Sequence, residues 1–316
     1  MRNLIEKAVL VTILIIAFSS CESKSKIDRG ISDNTSKKIE TSIAKPSSLV
    51  IHKDSLKTKM QEKATDKIVN IKDKMIPEAL QAIVETQNAV GFLTNNKKEE
   101  ARKQLVNALG KLDIIMEREP DLELLPIDVN IEVNDLITDI SSIKQITKDA
   151  EKALKNEHLQ DARALLSGLS SEIQITTVNI PLLTYPMAIK RAVKFLDEGK
   201  LKEAEVVLMT ELNELVIEDD FLPIPVLQAE VMLDEASVKH EENAKENKVV
   251  VINLLDNAEY QLKLAEALGY GKKNVTYKEL NKDIKNLKKS VNSDTDSKGL
   301  FKKLKLKLKK FKERLF

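Results

Sequence analysis

The chain has one cysteine, no tryptophan, three histidines and only 3% aromatic residues in 316 positions. One cysteine excludes an intrachain disulfide, so no covalent staple holds the fold. The histidines, His52, His158 and His240, stand far apart in sequence, and nothing supplies the clustered imidazoles and thiolates of an ordinary zinc site. No metal or other cofactor is expected. Glycine and proline number 8 each, and the scarcity of turn glycines and aromatics argues against a strand-rich domain. Neither sign of charge is in excess: 51 basic and 50 acidic residues leave a net +1. The body as a whole is therefore not steered toward nucleic acid or membrane, and any such attraction must be local.

Catalytic signatures are missing as well. There is no Gly-x-Ser-x-Gly elbow, no GxGxxG loop and no phosphate-cradling GxxxxGK motif. Adjacent carboxylates such as Asp219 and Asp220 are commonplace in a chain that is 32% charged, and their usual meaning is a solvated turn. His240 continues an apolar seam and reads as a helix-terminal residue at a core edge, with pH sensing as the sharper alternative. The expectation is a protein that is not an enzyme.

What is present begins at the N-terminus. Arg2 and Lys7 precede an apolar run at residues 8–18, interrupted only by Thr12, too short to span a bilayer and matching the core of a secretory signal. FSSC at residues 18–21 resembles a bacterial lipobox, with Phe18 where leucine is commonest. Residues 1–20 are expected to be a lipoprotein signal, with Cys21 the lipidated N-terminus of an envelope protein facing the periplasm. Residues 21–50, rich in Ser, Lys, Asp and Thr, offer no face to bury and read as a tether. Its reach is roughly 30 Å by random-coil scaling. A linking helix over 51–74 follows.

Further on, apolar residues recur at helical spacing. One seam runs Val129, Val133, Leu136, Ile140, Ile143, Thr147, Ala150, Leu154, with Asp128 as its cap. A second, Val226, Ala229, Leu233, Ala236, His240, follows Pro223 and Pro225. A third, Leu254, Ala258, Gln261, Ala265, Leu268, is stopped by Gly269 and Gly271. Overlaying helices exposes a repeat: Leu93, Ala101, Leu105 and Pro120 recur at identical spacing as Leu154, Ala162, Leu166 and Pro181, and again as Leu196, Ala204, Leu208 and Pro223. The polar strings TNNKKEE, KNEHLQD and DEGKLKE separate leucine from alanine. Each unit reads as a helical hairpin, its alanine permitting close approach and its proline closing it. The unequal intervals between units disfavour a regular solenoid and favour one compact, mainly helical domain of duplicated hairpins. Ile173, Ile175 and Thr177 alternate with polar neighbours, and residues 215–222 similarly lead into Pro223. These stretches are extended linkers or a small sheet.

Three strings carry a family resemblance: ALGKLDIIMEREPDLELLPIDVNIEVNDL at 108–136, LSSEIQITTVNIPLLTYPMAI at 169–189 and YQLKLAEALGYG at 260–271. In this order they resemble the YfdX family of bacterial envelope proteins over about residues 76–271, with a looser echo in KGLFKKL near Lys298. The resemblance implies a mostly helical, exported protein tied to acid stress and drug tolerance, with no catalytic residues to carry over. The family-like body is expected over residues 75–292, followed by a linker and basic helix over 293–316.

Two surfaces are candidates for function. Ile175, Thr176, Thr177 and Tyr185 lie in a family-like string beside Ile180, Leu182 and Leu183, and are read either as packing at a linker or as a groove for a small molecule or partner. At the C-terminus, Phe301, Leu304, Leu308, Phe311 and Leu315 form one helical stripe among eight basic residues. This basic amphipathic helix either packs on the body or lies on an anionic membrane through Lys302, Lys303, Lys305, Lys309, Lys310 and Phe311. Nucleic acid is disfavoured by the export signal. The leading expectation is an interaction module that binds an envelope protein, with small-molecule binding as the alternative and homo-oligomerisation left open.

Overall fold

A computed structural model of the chain describes residues 53–271 and 275–315. The expected signal at 1–20, Cys21, the tether to residue 50 and His52 lie outside the described residues. After α1 (Lys53–Lys74) the chain runs through three successive units of two helices and a strand. The first is α2 (Pro77–Thr94), α3 (Lys98–Arg118) and β1 (Leu124–Asn134). The second is α4 (Ile140–Lys155), α5 (Leu159–Ser167) and β2 (Glu172–Pro181). The third is α6 (Tyr185–Asp197), α7 (Leu201–Asn213) and β3 (Val216–Pro223). Four helices follow: α8 (Ile224–Asn243), α9 (Lys248–Leu268), α10 (Val275–Asn292) and α11 (Lys298–Lys312). The fold is mainly helical with one small sheet.

The sequence repeat is a repeat of one turn. Three residues after the repeated leucine, Asn96, Glu157 and Gly199 adopt positive φ of 56°, 61° and 78°. Their N–H groups donate to the carbonyls of Leu93, Leu154 and Leu196, and the next N–H groups, of Lys97, His158 and Lys200, reach Phe92, Ala153 and Phe195. A left-handed residue closing a helix in this way satisfies carbonyls that would otherwise end without partners. The α10–α11 connection repeats it, with Asp294 at φ 50° and the N–H groups of Asp294 and Thr295 bonded to Val291 and Ser290. The repeated alanines, Ala101, Ala162 and Ala204, are buried between the two helices of their hairpins.

The prolines do not close the hairpins. Pro181 and Pro223 end the strands β2 and β3, whereas Pro120 precedes β1. The strands form an antiparallel sheet in the order β1-β2-β3, so the small-sheet reading of the alternating stretches holds. A register shift between Pro126 and Asp128 accommodates a residue without a ladder N–H.

β1 also corrects the first helical seam. Val129 and Val133 belong to the strand, where with Ile131 they turn the same way and pack against the cluster around Ile173 and Ile175. The helix starts only at Ile140, capped by Asp139, whose carboxylate accepts from the Ser142 N–H at 2.9 Å and from the Ser141 hydroxyl. Asp128 accepts from Val129 within the strand instead. The other two seams form α8 and α9, the latter ending at Gly269 with φ 90°.

Two principal cores result. α2, α3, α6 and α7 enclose the leucines and alanines of the first and third units together with Ile180 and Tyr185. The N-terminal part of α1 and helices α8–α11 enclose the second core. One face of the sheet lies under α1. Ser171 joins these parts: its N–H donates to the Tyr270 hydroxyl at 2.7 Å, and its carbonyl accepts from Ile224 at 2.9 Å.

Candidate functional site

The proposed groove residues do not share a surface. Side chains alternate along β2, so Ile175 enters the cluster beneath α1 while Thr176 points to the opposite face, its hydroxyl donating to Asp219 at 2.6 Å. Thr177 is buried on the Ile175 side. Tyr185 opens α6 and is fully buried in the hairpin core, where burial pushes its hydroxyl well above the ordinary tyrosine pKa. Ile180 and Leu182 belong to the same core and Leu183 is exposed. A shallow depression of about 440 Å³ on α6–α7, lined by Phe195, Lys202, Glu203, Val206 and Val207, includes none of them.

Near Tyr185, the buried Glu211 accepts a hydrogen bond from the Thr184 hydroxyl at 3.2 Å. Burial raises its pKa above the ordinary carboxyl value, with the Thr184 hydrogen bond opposing. The folded state therefore holds this proton more tightly than the unfolded chain. The group costs stability at neutral pH, and that cost is relieved as pH falls through the raised pKa. Glu211→Gln is expected to be more stable than wild type at neutral pH, with the difference shrinking on acidification. Urea unfolding across a pH series checks this, and a variant destabilised at every pH would contradict it.

The C-terminal helix uses its apolar stripe internally. Phe301, Leu304, Leu308 and Phe311 are core residues, and Phe311 meets the Tyr277 ring edge-on at 4.8 Å. An acidic row on α8 holds two basic helices: Lys305 pairs with Asp234 and Lys312 with Glu230 from α11, while Lys59 pairs with Glu235 and Lys63 with Glu230 and Asp234 from α1. Of the residues suggested for membrane contact, Phe311 is thus buried and Lys305 paired, leaving Lys302, Lys303, Lys309 and Lys310 exposed. Packing on the body is the arrangement that the structure adopts for this helix.

The remaining sequence candidates separate. His158 is exposed at the start of α5, 3.5 Å from Asp161. His240 sits in the last turn of α8 with its ring 5.4 Å from that of Phe301. Asp219 bonds Thr176 and Gln174, while its neighbour Asp220 pairs with Lys67. Among the described residues no group of three or more His, Cys, Asp or Glu could hold a metal ion, and no helix is long and apolar enough to cross a membrane.

The hairpin α4–α5 is the surface that sequence reasoning missed. The first and third hairpins mate, α2 beside α7 and α3 beside α6, and bury Leu93, Leu105, Leu196 and Leu208 between them. The equivalent residues of the second hairpin, Leu154 and Leu166, are 47% and 45% exposed, and Leu159 is 61% exposed. The base of this hairpin is anchored: Ile140 and Ile143 pack with Tyr260 and Leu264 of α9. Its outer part carries the apolar pattern of a mated hairpin without a mate among the described residues.

The family described as YfdX protein matches residues 82–221. Over this segment the chain is similar to the YfdX family. The matched stretch begins inside α2 and ends inside β3, so the three helix-helix-strand units are the YfdX-like part of the chain, and α1 and α8–α11 lie outside it. A solved structure of Salmonella Typhi YfdX is similar at 15% sequence identity with a TM-score of 0.33, covering 48% of this chain and 93% of that chain. No curated protein sequence matches the chain.

Proposed function

We propose that this chain is a non-catalytic interaction module, held at the envelope by a lipid on Cys21, that engages another envelope protein through α4–α5. The observation that carries this reading is the exposure of Leu154 and Leu166, with Leu159 beside them, on a hairpin whose two sister hairpins bury the leucines equivalent to Leu154 and Leu166 where they mate. Large apolar side chains presented together on a projecting element mark an interaction surface. The scattering of Ile175, Thr176, Thr177 and Tyr185 favours this over the small-molecule alternative. A place in acid or drug stress rests on the family resemblance alone.

Affinity purification from an envelope fraction tests it. Wild type is expected to retain a stoichiometric protein that a Leu154→Ser/Leu166→Ser variant of unchanged melting temperature loses. An identical set of retained proteins for both would refute the reading. Metabolic labelling with a clickable fatty acid, present in wild type and absent in Cys21→Ser, checks the anchor separately.

A further inference from the structure

The interaction-module reading can be taken to the chemistry of the partner, because the mated hairpins display a pairing rule. Thr94, the residue after the repeated leucine of the first hairpin, donates to Glu205, the residue after the repeated alanine of the third, at 3.0 Å. Reciprocally, Arg102 follows the alanine of the first and donates to Asp197, which follows the leucine of the third, at 3.2 Å. The two hairpins are thus related by an approximate twofold in which each position after leucine faces the other hairpin's position after alanine. A third crossing pair, Lys190 with Asp113 at 3.5 Å, starts six residues before Leu196.

In α4–α5 these three positions are Lys148, Lys155 and Arg163. All three are exposed, and none enters an ion pair among the described residues. The apolar positions correspond too: Leu154, Leu159 and Leu166 match Leu196, Leu201 and Leu208, all of which pack in the first core. A second copy mating by the same twofold would set Arg163 against Lys155 at both symmetry-related crossings. Like charges opposed across an interface weigh heavily against such pairing.

We propose that α4–α5 receives an acidic helical hairpin of a partner protein, seated on Leu154, Leu159 and Leu166 with carboxylates against Lys148, Lys155 and Arg163. The chain contains an example of the required composition: α6–α7 carries Asp197 and Glu205 at the two central positions, though its own face is occupied by α2–α3.

The test uses an acidic hairpin of known sequence and matching shape, the full chain carrying Lys148→Glu, Lys155→Glu and Arg163→Glu. Mixed with wild type in the same detergent, it is expected to form a 1:1 heterodimer by analytical ultracentrifugation. The heterodimer should be at least about tenfold tighter than the self-association of either chain, weaken as salt rises, and disappear when wild type carries Leu166→Glu. Circular dichroism melts confirm that each variant is folded. Absence of a heterodimer overturns the proposal. Wild-type self-association of equal strength, abolished by Leu166→Glu, also overturns it and assigns the face to a second copy. Either result, combined with envelope capture that still depends on Leu154 and Leu166, would leave the interaction module standing and remove only the acidic hairpin as its mate.

Discussion

Leu208→Ala is expected to lower the unfolding free energy by about 2–5 kcal/mol, the range for a buried leucine truncated in a close-packed core. The repeat-equivalent Leu166→Ala is expected to change it by about 0.5 kcal/mol or less, as for surface positions. The two leucines occupy the same place in the sequence repeat and follow the same turn, so the contrast isolates what lies across from each. Leu208 meets the first hairpin and is fully buried, whereas Leu166 is 45% exposed. Urea unfolding of both variants, with equal slopes to ensure comparable unfolded states, is the measurement. Comparable losses at the two sites would mean that Leu166 is buried in solution, and the docking face would be withdrawn.

Lys288→Met is expected to destabilise the protein by about 1–3 kcal/mol, most of it at neutral pH. Lys288 of α10 bonds Asp256 and Glu259 of α9, each at 2.6 Å, and the Glu259 side chain is only 8% exposed. Removing one partner of a buried pair leaves a charge without compensation. The loss here is smaller than for a fully enclosed pair, because Lys263 remains at 2.6 Å and Lys288 is partly exposed. Burial works to raise the pKa of Glu259, but hydrogen bonds and charge from Lys263 and Lys288 bring it below the ordinary value. A carboxyl lowered in the folded state contributes stability that is complete above its unfolded pKa and lost as pH falls through the folded one. The deficit of Lys288→Met should therefore shrink in acid. Adding Glu259→Gln should recover part of it at neutral pH, and a deficit independent of pH would exclude the electrostatic account. Glu211 has the opposite sign, so the two helical cores respond to acid in opposite directions through these two groups.

Much of the architecture was legible in the residues. The seams of α8 and α9 read directly because both helices are bounded by Pro225 and Gly269, signals that act locally. The repeat read correctly as hairpins because leucine, polar turn and alanine encode one local geometry that needs no distant partner. β1 was misread for a physical reason: Val129, Val133, Leu136 and Ile140 satisfy helical spacing, while Val129, Ile131 and Val133 equally satisfy a period of two. Pairing with β2 decides between them, and that is a tertiary fact. The amphipathic C-terminal stripe was similarly ambiguous, since an apolar face suits a protein core as well as a lipid surface. The docking face was invisible for a stronger reason: Leu154 and Leu166 look identical in pattern to their buried counterparts, and exposure depends on which hairpins find each other. The only local hint was charge, Lys155 and Arg163 standing where the third hairpin has Asp197 and Glu205.

The position of α4–α5 between two paired strands has a mechanical side. The hairpin leaves the sheet at Asn134 and returns at Glu172, and these two residues face each other at the end of the β1–β2 ladder. A partner pulling on the outer part of the hairpin, with the other end of the chain held at a membrane, would load that ladder from its Asn134–Glu172 end. Force applied there opens antiparallel strands one pair at a time instead of shearing all of them together. The packing of Ile140 and Ile143 on Tyr260 and Leu264 of α9 lies between the outer hairpin and this ladder, so the same pull would also reach the second core through α9.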